Sequence, residues 1–302
     1  MRKSMIHRLL IEPSTFEIVP GLESENPYMN LTHPLDKTRI TRSFHELVET
    51  ITPAPSVFSI PKSAHVPDIV FLASAGLSLP RLPEPVVILP WMKFAHRRAE
   101  LPYIRSMLQT IGIRVFDFPG DATAPFEGQP DTKWFHGGQT LVCGYGYRST
   151  RKTFHILEGL LNDIYRSYGV EPPRVHVFKK QHFDFYHLDI GMFEFNQSAC
   201  IIHGHLFSTD DKARLRRLLG AKNVHVFHSS DKFALNAIDC GSYVLCHELG
   251  AEDAAYLRAR TGKRLRQIDM TEFQKSGGSV RCLVFDVHLP ATAVSRSATT
   301  VS

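Results

Sequence analysis

Strand-like and helix-like runs alternate along this chain, yet not one for one: two or three short strand runs often separate consecutive helices. Residues 69–72, 86–89, 113–116, 140–143, 175–178, 200–203, 224–227, 242–246 and 280–287 are rich in β-branched and aromatic side chains and read as strands. Apolar residues recur at helical spacing over 97–111, 153–168, 209–219 and 251–261, and each run ends near glycine or a polar turn. Ser208-Thr209-Asp210-Asp211 supplies capping oxygens to the third helix. A doubly wound sheet would show one strand per helix. The uneven rhythm instead predicts an α/β protein built from a repeated strand–strand–helix–strand module. The first 60 residues show no clear period. Residues 291–302, rich in Ser, Thr and Ala, read as a disordered tail. No linker interrupts residues 66–289, so residues 1–290 read as one domain.

With 43% hydrophobic and 22% charged residues, the 302-residue chain has the balance of a soluble globular protein with a substantial core. No apolar run reaches the roughly 18–20 residues of a membrane-spanning helix, and the start lacks a signal-peptide pattern, so a cytoplasmic location is expected. Net charge is +5, but the basic residues form small clusters at 97–98, 179–180, 214–217 and 263–266, beside acidic or apolar neighbours. That pattern is too sparse for a nucleic-acid footprint. Five cysteines, at 143, 200, 240, 246 and 282, are odd in number and contain no Cys-x-x-Cys pair, which argues against a disulfide framework or a zinc knuckle. Most should be small buried hydrophobes.

Three local motifs could carry chemistry. Ser276-Gly277-Gly278-Ser279-Val280-Arg281-Cys282 places a thiol after two glycines, at the mouth of an apolar run. It reads either as a buried cysteine after a turn or as a nucleophile. Phe185-Tyr186-His187-Leu188-Asp189, taken as a strand, sets His187 and Asp189 on one face, where they could move a proton and hold a cation; the plain alternative is a solvated surface pair. Phe126-Glu127-Gly128-Gln129-Pro130-Asp131 is a turn bearing two carboxylates, suited to a guanidinium or merely an acidic surface turn. Arg148, in Gly144-Tyr145-Gly146-Tyr147-Arg148-Ser149-Thr150, could hold a substrate carboxylate or form an ordinary salt bridge. His203, His205, His225 and His228 invite a metal check, but no third ligand lies at telling spacing, so no metal site is expected. Cys246-His247 are neighbours that would point to opposite strand faces, which argues against a nucleophile–base pair.

The order of these motifs resembles that of the guanidine-modifying penteins: arginine deiminases, dimethylargininases, amidinotransferases and arginine dihydrolases. The dihydrolase and dimethylargininase-like branch is the nearest likeness. There the resemblance adds Ile11-Glu12-Pro13-Ser14-Thr15-Phe16, Asn26-Pro27-Tyr28-Met29, Val70-Phe71-Leu72-Ala73-Ser74-Ala75-Gly76, Arg97-Arg98-Ala99-Glu100-Leu101-Pro102-Tyr103 and Phe233-Ala234-Leu235-Asn236-Ala237. It spans about residues 6 to 288. It implies a five-module α/β propeller with a central active-site channel, no cofactor and a small guanidine substrate, with a homo-oligomer compatible. Cys282 then matches the nucleophile, His187 the general acid/base and Glu127 a guanidinium-binding carboxylate. Asp131 and Asp189 match further acidic positions, Asn26 and Asn236 polar pocket positions, and Arg148 a carboxylate anchor.

The implied chemistry is hydrolysis of arginine or a related guanidine through a covalent amidino adduct on Cys282, releasing ammonia or an alkylamine. Transfer of the amidino group to an amine and a non-catalytic arginine-binding pentein are the alternatives. Two departures stand out. Ser74 replaces an asparagine that the branch links to carrying the reaction past citrulline to ornithine, which favours a single-step deiminase. Trp91, in Pro90-Trp91-Met92, stands near where relatives place an arginine expected to hold the substrate carboxylate.

Overall fold

A computed structural model describes residues 5–19, 28, 29, 32 and 34–290. Chain order runs β1 (Met5–Ile11), α1 (Lys37–Thr50), β2 (Ser56–Phe58), β3 (Leu77–Leu79), β4 (Val86–Leu89), α2 (Ala95–Arg98), α3 (Leu101–Thr110) and β5 (Arg114–Asp117). There follow β6 (Thr132–Phe135), β7 (Thr140–Tyr145), α4 (Arg151–Ser167), β8 (Arg174–Lys179), α5 (Leu188–Gly191), β9 (Met192–Phe195), β10 (Ala199–His203), α6 (Thr209–Leu219) and β11 (Val224–Phe227). The chain closes with β12 (Ile238–Asp239), β13 (Tyr243–His247), α7 (Ala251–Thr261), β14 (Arg264–Ile268), α8 (Thr271–Gln274) and β15 (Phe285–Leu289).

The strands form five three-stranded sheets among the described residues: β15-β1-β2, β3-β4-β5, β6-β7-β8, β9-β10-β11 and β12-β13-β14. In each, the middle strand pairs antiparallel with one neighbour and parallel with the other. A parallel pair needs a long crossover, which explains why each principal helix sits between the second and third strands of its module. In the first sheet β15 takes the place of the hairpin partner, pairing Met5 with Leu289 through Leu9 with Phe285.

The middle strands β4, β7, β10 and β13, and the second half of β1, are buried on both faces, and alternation sends the two faces into different cores. Leu9 and Ile11 of β1 pack with Val87 and Leu89 of β4, whereas Leu10 packs with Leu245 of β13. Val86 and Ile88 of β4 meet Leu141 and Cys143 of β7. Val142 of β7 meets Cys200 and Ile202 of β10, and Ile201 meets Val244 and Cys246 of β13. Each sheet thus shares one core with the module before it and another with the module after it. This double burial is why β4, β7, β10 and β13 read as apolar runs, whereas β1, with His7 and Arg8 in its first half, does not.

Several expectations need correction. Residues 69–72 form a buried turn leading into a 3-10 helix at Leu72–Ala75, not a strand. The 280–287 run divides into a 3-10 turn, Val280–Leu283, and β15. Tyr186–Asp189 is not a strand either: His187 caps the one-turn helix α5, so His187 and Asp189 do not share a strand face. The first 60 residues do hold a period, because Ile40, Phe44 and Leu47 form the buried stripe of α1 behind an Asp36 cap. That stripe is narrow and flanked by charge, which hid it. Helix 97–111 is two pieces, with Pro102 in the first turn of the second. The tail 291–302 lies outside the described residues.

Two glycines bring the site's segments together. Gly76 and Gly128 both have positive φ, and a Cβ on Gly128 would stand 2.3 Å from the Gly76 carbonyl oxygen. Only glycine allows this contact, sealed by Gln129 N donating to Gly76 O at 2.9 Å. It presses the Ser74 turn against the Glu127–Asp131 turn.

Candidate active site

Cys282 lies in the 3-10 turn before β15, held from behind by Asn236. The Asn236 side-chain oxygen accepts from the Arg281 amide at 2.9 Å, and its Nδ2 stands 3.3 Å from Sγ of Cys282. His187 Nε2 is 2.7 Å from Glu127 Oε2, which also accepts from Arg148 Nη1 at 2.9 Å. The Arg148 guanidinium lies between the rings of Phe94 and Tyr186, at 4.6 and 4.9 Å. Tyr186 in turn donates to Gly277 O at 2.7 Å, tying the histidine turn to the cysteine loop. One cavity is lined by Asp68, Ser74, Arg97, Arg148, His187 and Cys282.

The carboxylates divide by partner. Glu127 is already engaged by His187, Arg148 and the Lys93 amide. Burial alone would neutralise it, but Arg148, His187 and Arg97 outweigh that and hold its carboxyl well below the usual range. Asp131 is fully occupied, accepting from Lys180 Nζ at 2.5 Å, Ser149 Oγ at 2.6 Å and the Leu188 amide at 3.1 Å. Glu127 and Asp131 thus each accept three hydrogen bonds from the protein itself. Asp189 differs. It is 1% exposed, and among the described residues neither side-chain oxygen has a hydrogen-bond partner. Burial pushes its carboxyl up, against the pull of Lys133, His187 and Arg281.

Burial first, and the Asp189 charge second, push the Cys282 thiol up to about 12. The resting site is therefore a protonated thiol beside a histidine and a buried carboxylate without a partner. Buried polar groups are nearly always bonded, so a buried carboxylate without a donor is suited to receive a cationic group. A cation reaching Asp189 would also favour the thiolate.

Ser74, Arg148, His187 and Cys282 line the cavity directly, while Glu127 and Asn236 stand behind His187 and Cys282. Asn26 lies outside the described residues. Trp91 does not face the cavity: it forms a β-bridge with Phe126, and Arg98 stacks on its ring at 4.6 Å. The cavity arginine that the motif reading did not assign is Arg97, which donates twice to Glu100, at 2.6 and 3.0 Å. Its signal was the quoted run 97–103. Lys180 was also missed, because a Lys-Lys pair reads as a surface cluster, and yet it is 1% exposed. Among the described residues no group of three or more His, Cys, Asp or Glu side chains could hold a metal ion, although the rings of His203, His205 and His228 lie 5.3 to 6.1 Å apart. Nor is any helix there long and apolar enough to cross a membrane.

The five small mixed sheets match the fold of the pentein enzymes. No family model matches the chain. It is similar in sequence to arginine dihydrolases and to a dimethylargininase. It is 26% identical over 270 residues to the bifunctional arginine dihydrolase/ornithine cyclodeaminase ArgZ of Synechocystis sp., covering 88% of this chain and 36% of that protein. The chain thus spans about a third of that relative's length. It is 26% identical over 266 residues to the N(G),N(G)-dimethylarginine dimethylaminohydrolase of Mycobacterium tuberculosis, covering 87% of this chain and 80% of that one. Among solved structures, the N-terminal domain of ArgZ with an asparagine-to-serine substitution, covalently bound to a reaction intermediate, superposes with a TM-score of 0.77. That match is 24% identical and covers 93% of this chain and 97% of the other.

Proposed function

We propose that this chain is a cysteine hydrolase of arginine or a related guanidine, working through a covalent amidino adduct on Cys282. The observation that carries the reading is Asp189, a buried carboxylate without a partner beside a cysteine and a histidine. The five modules are read as a propeller closed by β15 on β1, with the cavity at one mouth of its channel. The chain of shared cores, each sheet packed between two neighbours, supports this arrangement.

Asp189 takes the guanidinium, and the arriving charge offsets the field that keeps Cys282 protonated. His187 takes the thiol proton, and the thiolate attacks the guanidinium carbon. His187, oriented by Glu127, protonates the leaving amine, and the tetrahedral adduct collapses to a thiouronium. A water deprotonated by His187 then attacks, and the carbon–sulfur bond breaks to return the thiol and a ureido product. Glu127 is thus assigned to orienting the base rather than gripping substrate, and Asp131 to the scaffold. Arg97 and Arg148, both on the cavity wall, are assigned to the carboxylate end of the substrate. Mass spectrometry of reactions with arginine, methylated arginines and agmatine tests the reading. A ureido product with stoichiometric amine supports it, and no product from any of them sinks it.

Ser74, buried in the cavity wall, is assigned to halting the reaction after one hydrolysis. Wild type should make citrulline from arginine. Ser74→Asn should divert at least a tenth of product to ornithine, measured by amino-acid chromatography. Citrulline alone from the variant would remove Ser74 from that role.

A further inference from the structure

The Lys180–Asp131 pair is the most deeply buried ion pair in the site, with both side chains 0% exposed. Lys180 follows β8, and its amide donates to Tyr145 O at 2.9 Å, so the extended β7–β8 ladder aims its side chain inward. What the pair holds is specific. Lys180 Nζ donates to the Tyr186 carbonyl at 2.7 Å, and Asp131 Oδ1 accepts from the Leu188 amide at 3.1 Å. These backbone groups belong to the residues immediately before and after His187. The other Asp131 oxygen accepts from Ser149, next to Arg148. One ion pair therefore grips the chain on both sides of the histidine and at the neighbour of the arginine that shares Glu127.

We propose that Lys180 is a positioning residue for His187, acting through Asp131 and the Tyr186 carbonyl, and that it keeps the Asp131 charge from acting on the imidazole. The charged groups facing His187 are Glu127 in direct contact and Asp189 close enough to interact electrostatically, with Arg148 sharing Glu127 and Cys282 on the same cavity wall. Burial weakens the Lys180 charge, while Asp131, then Glu127 and Asp189, sustain it. Removing the ammonium leaves Asp131 as a second uncompensated carboxylate next to Asp189, and lets the His187 turn relax.

The test compares wild type, Lys180→Met, Lys180→Arg and the double variant Asp131→Asn/Lys180→Met. Turnover is followed by ureido product, and the His187 ring is followed by nitrogen NMR across pH. In Lys180→Met the ring midpoint should rise, because an added nearby negative charge favours the imidazolium. It should return toward wild type in the double variant, where no stray charge remains. The kcat should fall about 10–100-fold with KM for arginine within about threefold, since misplacing the base costs the chemical step. Lys180→Arg keeps the charge but replaces the compact ammonium that bonds both Asp131 and Tyr186 O with a larger planar fork, so its midpoint should hold while kcat falls. An unchanged midpoint in Lys180→Met, or full kcat in Lys180→Arg, overturns the proposal. If Lys180→Met does not fold, Lys180→Arg decides alone. The kinetic part rests on the hydrolase reading, whereas the ring titration does not. A wild type without turnover would therefore sink that reading and leave the Lys180 assignment to the NMR result.

Discussion

Asp189→Asn is expected to lose about 10²–10⁴-fold in kcat/KM for arginine and yet to melt several degrees above wild type. Both effects follow from the same two unpartnered oxygens. A buried carboxylate without hydrogen bonds destabilises the fold by about 1–3 kcal/mol or more, and asparagine keeps its shape without its charge. For the reaction the charge is the point: losing one member of a buried ion pair costs about 3–5 kcal/mol, here charged against bound substrate. The sign with pH is defined. The folded carboxyl is raised, so protonation stabilises the fold; that contribution is full below the ordinary carboxylate pKa and lost as pH rises through the folded value. The melting advantage of Asp189→Asn over wild type should accordingly be largest at neutral pH and shrink in acid. Differential scanning calorimetry from pH 4 to 8 with parallel kinetics checks this. A variant that keeps its activity, or melts lower at neutral pH, would show that Asp189 has a partner and no cation to wait for.

Cys282→Ala should abolish turnover, by about 10⁴-fold or more, as expected for an essential nucleophile. The sharper expectation concerns the resting thiol. Raised to about 12, it is ionised at pH 8 in only about one molecule in 10⁴. Neutral iodoacetamide should therefore label Cys282 slowly, and a cationic haloacetamidine, which brings its own charge to Asp189, should label it at least 100-fold faster. In Asp189→Asn that ratio should collapse. Peptide mass spectrometry of timed reactions measures both rates. Fast labelling by iodoacetamide at neutral pH would mean a preformed thiolate and would remove substrate-assisted ionisation from the mechanism.

Much of this architecture could be read along the chain, for reasons that particular elements show. β4, β7, β10 and β13 were legible because a strand buried on both faces must be an unbroken apolar run. Of the third strands, β5, β8 and β11 were read, whereas the three-residue β2 and the alternating, mostly exposed β14, Arg264–Ile268, went unread. Helix α7 was read at its observed bounds, since Gly250 and Gly262 mark its two ends. The turn at His187 was misread as a strand because its helical conformation depends on bonds to Asp131, not on local propensity.

The sequence by itself determined the repeating module, the cysteine, histidine and carboxylates available to a site, and the family order in which they stand. These are local or ordinal properties, written in composition and spacing. Only the tertiary structure decided which carboxylate is left free. Asp131 is consumed by Ser149 and Lys180, 18 and 49 residues away, and Glu127 by His187, 60 residues away. Asp189 receives no such donor. Hydrogen-bond partners are assigned by proximity in space, and no spacing along the chain encodes them.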